Sequence, residues 1–185
     1  MTLRSFTGFL TMNKRAFFWI GCTAAMVSLA SLMLATAPAH AEMNTVDLPL
    51  VGTWTLVSAD VQHTDGTRTH DYGPMPRGML FIDAQGHYSL QIFNSERKPF
   101  ASGDRDTATP DEYRAAALGL SSHFGMLSDD RSRKALTFHI HKASYPNWEG
   151  TEQVRIYELK DGELSYRVPA RANGDVPISV WRHLN

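Results

Sequence analysis

Cysteine is nearly missing from this chain: Cys22 is the single thiol in 185 residues. That excludes an intrachain disulfide, a CxxC redox pair and a cysteine-based zinc cluster. A surplus of basic charge is missing too, with 18 Lys plus Arg against 19 Asp plus Glu, so the chain carries no electrostatic footprint for nucleic acid. It has no G-x-S-x-G nucleophile elbow and no glycine-rich phosphate loop, which leaves hydrolase and nucleotide-binding readings without support. No repeat of solenoid period occurs.

Long uncharged runs are absent with one exception. Arg4, Lys14 and Arg15 precede an uncharged stretch from Ala16 to Ala37, and Ala39, His40, Ala41 has the small-x-small form of a cleavage site. This is the pattern of a secretory signal peptide over 1–41, cut after Ala41, with a periplasmic or secreted product. The alternative is a retained anchor, since the run approaches the roughly 20 residues that span a bilayer. Met12 offers a second possible start. Trp19 to Cys22 lies too early in the apolar run for a lipoprotein box. Cleavage lowers Lys plus Arg from 18 to 15 against 19 acids, a net charge of about −4, and removes Cys22. The remaining 42–185 is expected to be one domain, monomeric and free of the membrane, large enough to fold without staples.

What is there is mostly period two. Leu50 to Gln62 is rich in β-branched and aromatic residues and ends at Thr64, Asp65, Gly66, which predicts a first strand. Tyr72 to Pro76 reads as an irregular crossing. Gly78 to Asp83 and His87 to Phe93, separated by Ala84, Gln85, Gly86, predict a hairpin. Further strands are predicted at His123 to Ser128, Leu136 to His141, Thr151 to Tyr157, Leu164 to Val168 and Val176 to His183. Lys160, Asp161, Gly162 is a hairpin turn.

One segment breaks the alternation. Thr109, Pro110, Asp111, Glu112 is a capping box with proline at the first helical position. Tyr113, Ala117, Leu120 and Phe124 then fall on one helical stripe, predicting an amphipathic helix over about 110–121. Before it, Asn94 to Ala108 has no period, and a loop that long in a small domain is usually functional or mobile. Eight strands joined by short turns, with one helix closing an end, define an all-β, eight-stranded antiparallel up-and-down barrel. Such a barrel holds side chains alone or one small ligand.

These motifs together resemble the bacterial lipocalin-like domain family, a calycin-type barrel. The likeness is carried by Leu50 to Leu56 (LVGTWTL), Tyr72 to Met79 (YGPMPRGM), Phe100 to Asp104 (FASGD), Pro110 to Ala115 (PDEYRA) and above all Tyr145 to Arg155 (YPNWEGTEQVR). It implies a ligand-cavity barrel, and members mostly lack an assigned reaction. In lipocalins a first-strand tryptophan is covered by an arginine near the barrel's end. The resemblance therefore implies structural roles for Gly52, Trp54 and Arg182.

The candidate site centres on Leu136 to Tyr157. Leu136, Phe138 and Ile140 share one side of a strand while His139 and His141 share the other. Gln153, Arg155 and Tyr157 share one side of the next strand. The expectation is that the His139 side and the Arg155 side form one surface within the barrel. Arg155 and Gln153 have an outward alternative, against which Tyr157, costly to expose, argues. Asp104 is a candidate for pinning the long loop to the barrel mouth. Trp148 is either a rim aromatic or a gate stacking on ligand.

The ligand-binding set is therefore Gln91, His139, Trp148, Gln153, Arg155 and Tyr157. A buried arginine calls for an anion, either a ligand carboxylate or a partner such as Asp60 or Glu152. No cofactor is expected. No metal is expected either, because His139 and His141 lack an evident third ligand. The leading reading is binding of a small hydrophobic or amphipathic molecule with a polar or anionic end, its apolar part on the Tyr88 or the Phe93 side of the wall. One alternative is an isomerase or cyclase, with His139 as acid/base and Arg155 stabilising negative charge. Another is a dry barrel acting through its surface.

Overall fold

Eight strands that carry the period-two pattern and one short exposed strand form a single sheet. The computed structural model describes residues 48–184; the 1–41 segment and its cleavage point lie outside the described residues. In chain order the elements are β1 (Gly52–Gln62), β2 (Arg68–His70), β3 (Arg77–Ile82), β4 (His87–Phe93), α1 (Pro110–Leu118), β5 (Leu120–Asp130), β6 (Ala135–Ala143), β7 (Glu152–Lys160), β8 (Glu163–Arg167) and β9 (Val176–Leu184).

From β3 onward each strand pairs antiparallel with the next, β1 pairs with β3, and β9 returns to β1. Eight strands therefore close into an up-and-down barrel, as expected. The ninth, β2, is a three-residue flap that continues the β1 edge past β3, pairing Asp60 with His70. Closure matters because an open edge exposes unpaired backbone groups.

The inward residues form one apolar cluster in which Trp54, Phe138, Tyr166 and Trp181 are the largest buried rings. A buried ring of this kind removes on the order of 200 Å² from water, roughly 5 kcal/mol before the cost of ordering it. Two bulges adjust the wall. The β1–β9 register shifts between Leu56 and Ser58, so the buried set passes from Trp54 and Leu56 to Ala59 and Val61. The β5–β6 register shifts between Phe124 and Gly125. A Cβ on Gly125 would run into the carbonyl oxygen of His139, so the two backbones approach closely only because this residue is glycine.

The helix differs from expectation. Its capping box forms: Glu112 N–H donates to Thr109 Oγ1 and the Glu112 carboxylate accepts from Thr109 N–H. It stops at Leu118, because Gly119 ends it and Leu120 already belongs to β5. Leu120 and Phe124 therefore lie on a strand, not on a helical stripe, and no residue of α1 is buried. Among the described residues no helix is long and apolar enough to cross a membrane.

The start of β1 is fixed by three groups. Trp54 donates its indole N–H to the Leu50 carbonyl, and the ring lies edge-on to His183 at 4.7 Å. His183 Nε2 lies 3.3 Å from the Val51 carbonyl, which accepts its N–H. Arg182, expected over Trp54, is not there. It points out of the barrel and pairs with Glu163 at 2.7 Å, because neighbouring strand residues face opposite ways and the register sets Trp54 opposite His183.

Gly52 has φ +141°, and a Cβ there would overlap His183 Nε2. Gly52→Ala is expected to lower stability by about 1 to 3 kcal/mol, a strain cost of the size usual for a forced backbone. In a His183→Ala background part of that loss should vanish. Urea unfolding of the four proteins measures both terms, and strictly additive effects would contradict the overlap.

Candidate functional site

The barrel encloses a cavity of about 390 Å³, lined on its walls by Leu90, Ile92, Tyr166 and Val168, with Tyr72, Ser121, His123, Gln153, Arg155 and Ser179 among its polar groups and Glu152, paired with His139, also in its lining. Asp71 and Arg171 sit on its rim as an ion pair. Trp148, on a 3-10 turn formed by Pro146–Trp148, also lines it and meets the edge of the His123 ring at 6.0 Å.

The strand register decides which candidates reach this space. β6 pairs with β7 as Leu136↔Arg155, Phe138↔Gln153 and His139↔Glu152. Facing partners share a side, so Arg155 and Gln153 join the apolar set of β6 and point inward. His139 points out. The expectation that His139 and Arg155 share a hollow is therefore overturned: the break at Pro146–Gly150 resets the phase by one residue, and a one-residue slip turns every side chain over.

Gln91 is also outside, since Tyr88, Leu90 and Ile92 are the buried residues of β4. Of the two proposed apolar walls, the Tyr88 side is the inner one. Tyr157 packs against the core but does not line the cavity, and donates to Asp129 Oδ1 at 3.0 Å. Asp104 does not reach the barrel mouth through its side chain; its carboxylate accepts from Asp106 N–H and caps a turn within its own loop.

Outside, His139 Nδ1–H donates to Glu152 Oε1 at 2.8 Å and Ser128 Oγ lies 3.2 Å from His139 Nε2. The order Ser, His, carboxylate is that of an acyl-transfer triad. Here it lies on the outer wall, where β6 is paired on both edges and its amides are used in the ladders, leaving no oxyanion hole. Among the described residues no group of three or more His, Cys, Asp or Glu is placed to hold a metal.

Inside, the centre is Arg155, 3% exposed. Its guanidinium carbon lies 4.0 Å from the Phe138 ring centroid and 5.0 Å from that of Tyr166. Nη2 donates to Gln153 Oε1 at 2.9 Å and to His123 Nε2 at 3.2 Å. Neither Asp60 nor Glu152 neutralises it: Asp60 pairs with His70 and Glu152 with His139. Among the described residues no carboxylate forms an ion pair with Arg155. Burial pushes its pKa below the ordinary arginine value.

Arginine only donates, so it fixes the proton arrangement of its neighbours. His123 Nε2 must accept, which puts the ring proton on Nδ1, where it donates to Tyr88 Oη at 2.9 Å. Burial, then the nearby guanidinium, hold the His123 pKa down to about 2; the ring stays neutral. Burial raises the Tyr88 and Tyr166 phenols above their ordinary range. Arg155 Nε, Tyr166 Oη and Trp181 Nε1 are buried without a well-formed hydrogen bond. His123 and Tyr88 were missed as polar site residues in the sequence; their only signal was parity with the apolar residues of their own strands.

A closed eight-stranded up-and-down barrel with one polar cluster in an apolar interior has the architecture of a lipocalin-like barrel. The chain belongs to a lipocalin-like family: the model described as "Lipocalin-like domain" matches residues 51–181. Among solved structures it is similar to a lipocalin-like protein from Bacteroides uniformis, with 16% identity over 74% of this chain and 99% of that one, at a TM-score of 0.38. A protein from Bacteroides eggerthii matches at 16% identity over 72% and 98%, TM-score 0.37. The wild-type fluorescent protein UnaG matches at 14% over 73% and 97%, TM-score 0.34. No curated protein matches.

The neutral, buried His123 makes a pH signature. Its folded pKa, about 2, lies below the ordinary 6.5, so acid protonates the unfolded chain first. Its contribution to stability is complete above about pH 6.5 and is lost as pH falls, at about 1.4 kcal/mol per pH unit. His123→Gln is expected to flatten the stability profile between pH 6 and 4.5 by that slope. Equal slopes in denaturant titrations of both proteins would remove His123 as the cause.

Proposed function

We propose that this protein is an exported, monomeric carrier that holds a small, mostly apolar molecule in the barrel, with an anionic end of that molecule, a carboxylate by preference, against Arg155. The observation behind this reading is a buried guanidinium with no acid beside it. A lone cation in a low-dielectric interior is unfavourable, and an incoming anion relieves it. Because Nη2 is already committed to Gln153 and His123, the carboxylate would meet the remaining donors of the fork, with the Tyr166 hydroxyl, which also lines the cavity, beside them. The apolar body would rest on Leu90, Ile92 and Val168. The cavity volume is at the small end of the range for ligand pockets.

The reading as an isomerase or cyclase required His139 inside the cup, and its outward position takes that support away. The dry-barrel reading is disfavoured by the cavity itself. Export and cleavage rest on the 1–41 pattern alone. N-terminal sequencing of the protein recovered outside the cytoplasm should begin at Glu42; a blocked or longer N-terminus would mean that the leader is kept.

Arg155→Met separates binding from stability. Affinity for octanoate should fall at least tenfold, the size of one charge-assisted hydrogen bond of about 1.5 to 3 kcal/mol, while octan-1-ol is little affected. The stability of the unliganded barrel should change little, because relief of the buried charge is offset by the Gln153 and His123 acceptors left unpaired. Calorimetric titration and thermal unfolding test the pair. A variant that binds octanoate as before and unfolds sooner would make Arg155 structural.

A further inference from the structure

A second, larger hollow of about 710 Å³ lies between α1 and the 94–101 loop, floored by Phe100, Ala115, Ala116 and Leu118. Its walls are tied together. Asn94 N–H donates to the Gly119 carbonyl, Ala101 N–H donates to Glu112 Oε1, and Phe100 packs on Tyr113 with ring centroids 5.5 Å apart. This is a built groove, yet it leaves apolar surface uncovered: Leu118 is 67% exposed. The capped helix has no buried residue and is held to the domain by the loop through Tyr113 and Glu112, although tertiary burial is the usual source of helix stability.

The groove and the barrel cavity share a wall. Asp71 lines both. Next to it, Tyr72 puts its side chain into the cavity lining while its carbonyl accepts from Ser95 N–H in the groove loop. The partition is thus one two-residue segment, and the Asp71 to Arg171 ion pair stands beside it at the rim.

We infer that the groove is the tail subsite of the same ligand: a long-chain aliphatic monocarboxylate whose head lies at Arg155 and whose chain leaves the barrel past Asp71 to lie along α1. The inference rests on the proposed carboxylate site. It explains why the cavity is small although the adjoining apolar surface is large. The two hollows complement each other: the groove is the larger, but its cations, Arg97 and Lys98, are exposed, whereas the smaller cavity holds the buried guanidinium.

The test is calorimetric titration of hexanoate, octanoate, dodecanoate and hexadecanoate into the protein as isolated from its own cells, and into Ala116→Gln, Leu118→Gln and Arg155→Met. In the wild type, affinity should rise by about fourfold for each added methylene that is buried, and keep rising beyond the length the barrel holds. Ala116→Gln, which narrows the groove, and Leu118→Gln, which makes its floor polar, should leave hexanoate unchanged and weaken hexadecanoate tenfold or more. Arg155→Met should weaken every member alike. A wild-type plateau at the short acids, or long-acid affinity untouched by both groove variants, overturns the tail subsite and leaves the carboxylate site standing. Absence of binding by any acid overturns both.

Discussion

A positive charge is held in a box of rings with no negative charge beside it, and most of the interior is arranged to tolerate that. Arg155 lies over Phe138 and near Tyr166, whose π faces attract a cation without neutralising it. Gln153 and His123 accept two of its N–H groups. The histidine cannot answer with a charge of its own, and its remaining proton is directed to Tyr88. The result is a polarised chain, guanidinium to imidazole to phenol, embedded in hydrocarbon. Such an arrangement is costly for folding; under the proposed function it would favour an anion over a neutral molecule of equal shape.

That interior is made by strand phase and little else. Two bulges and the pairing of β6 with β7 decide that Arg155 looks inward and His139 outward. The same sequence with one residue more or less between Ala143 and Glu152 would exchange them. Phase also explains the first strand: Arg182 and His183 are neighbours, and only the second can reach Trp54.

Much of the architecture was legible because it rests on local rules. Alternation identified the eight barrel strands, Asp161 and Gly162 signalled their turn through the positive φ both adopt, and the capping box marked the helix start. The short β2 was not legible, since three exposed residues carry no period. The helix end was misjudged because Leu120 and Phe124 satisfy a helical spacing while Gly119, the stop signal, precedes them both. The site was legible in part. Arg155, Gln153 and Trp148 do line the cavity, and a charged or large aromatic residue in or beside an alternating strand is conspicuous. His139 and Gln91 were wrongly joined to them because polarity was matched to polarity, whereas the barrel sets polar Arg155 beside apolar Leu136. His123 went unseen for the same reason: it shares its side of β5 with Leu127, and a histidine in such a run reads as an interruption.

The seam between β1 and β9 carries a consequence for the order of events. It joins the first strand of the domain to the last, Thr53 beside Leu184, so the ring of strands cannot be completed until β9 has been synthesised. Contacts between the two ends of a chain are slow to form because the intervening loop must first be closed. A chain cut short before Val176 would leave both neighbouring edges open, and its most apolar surface would be available to other chains.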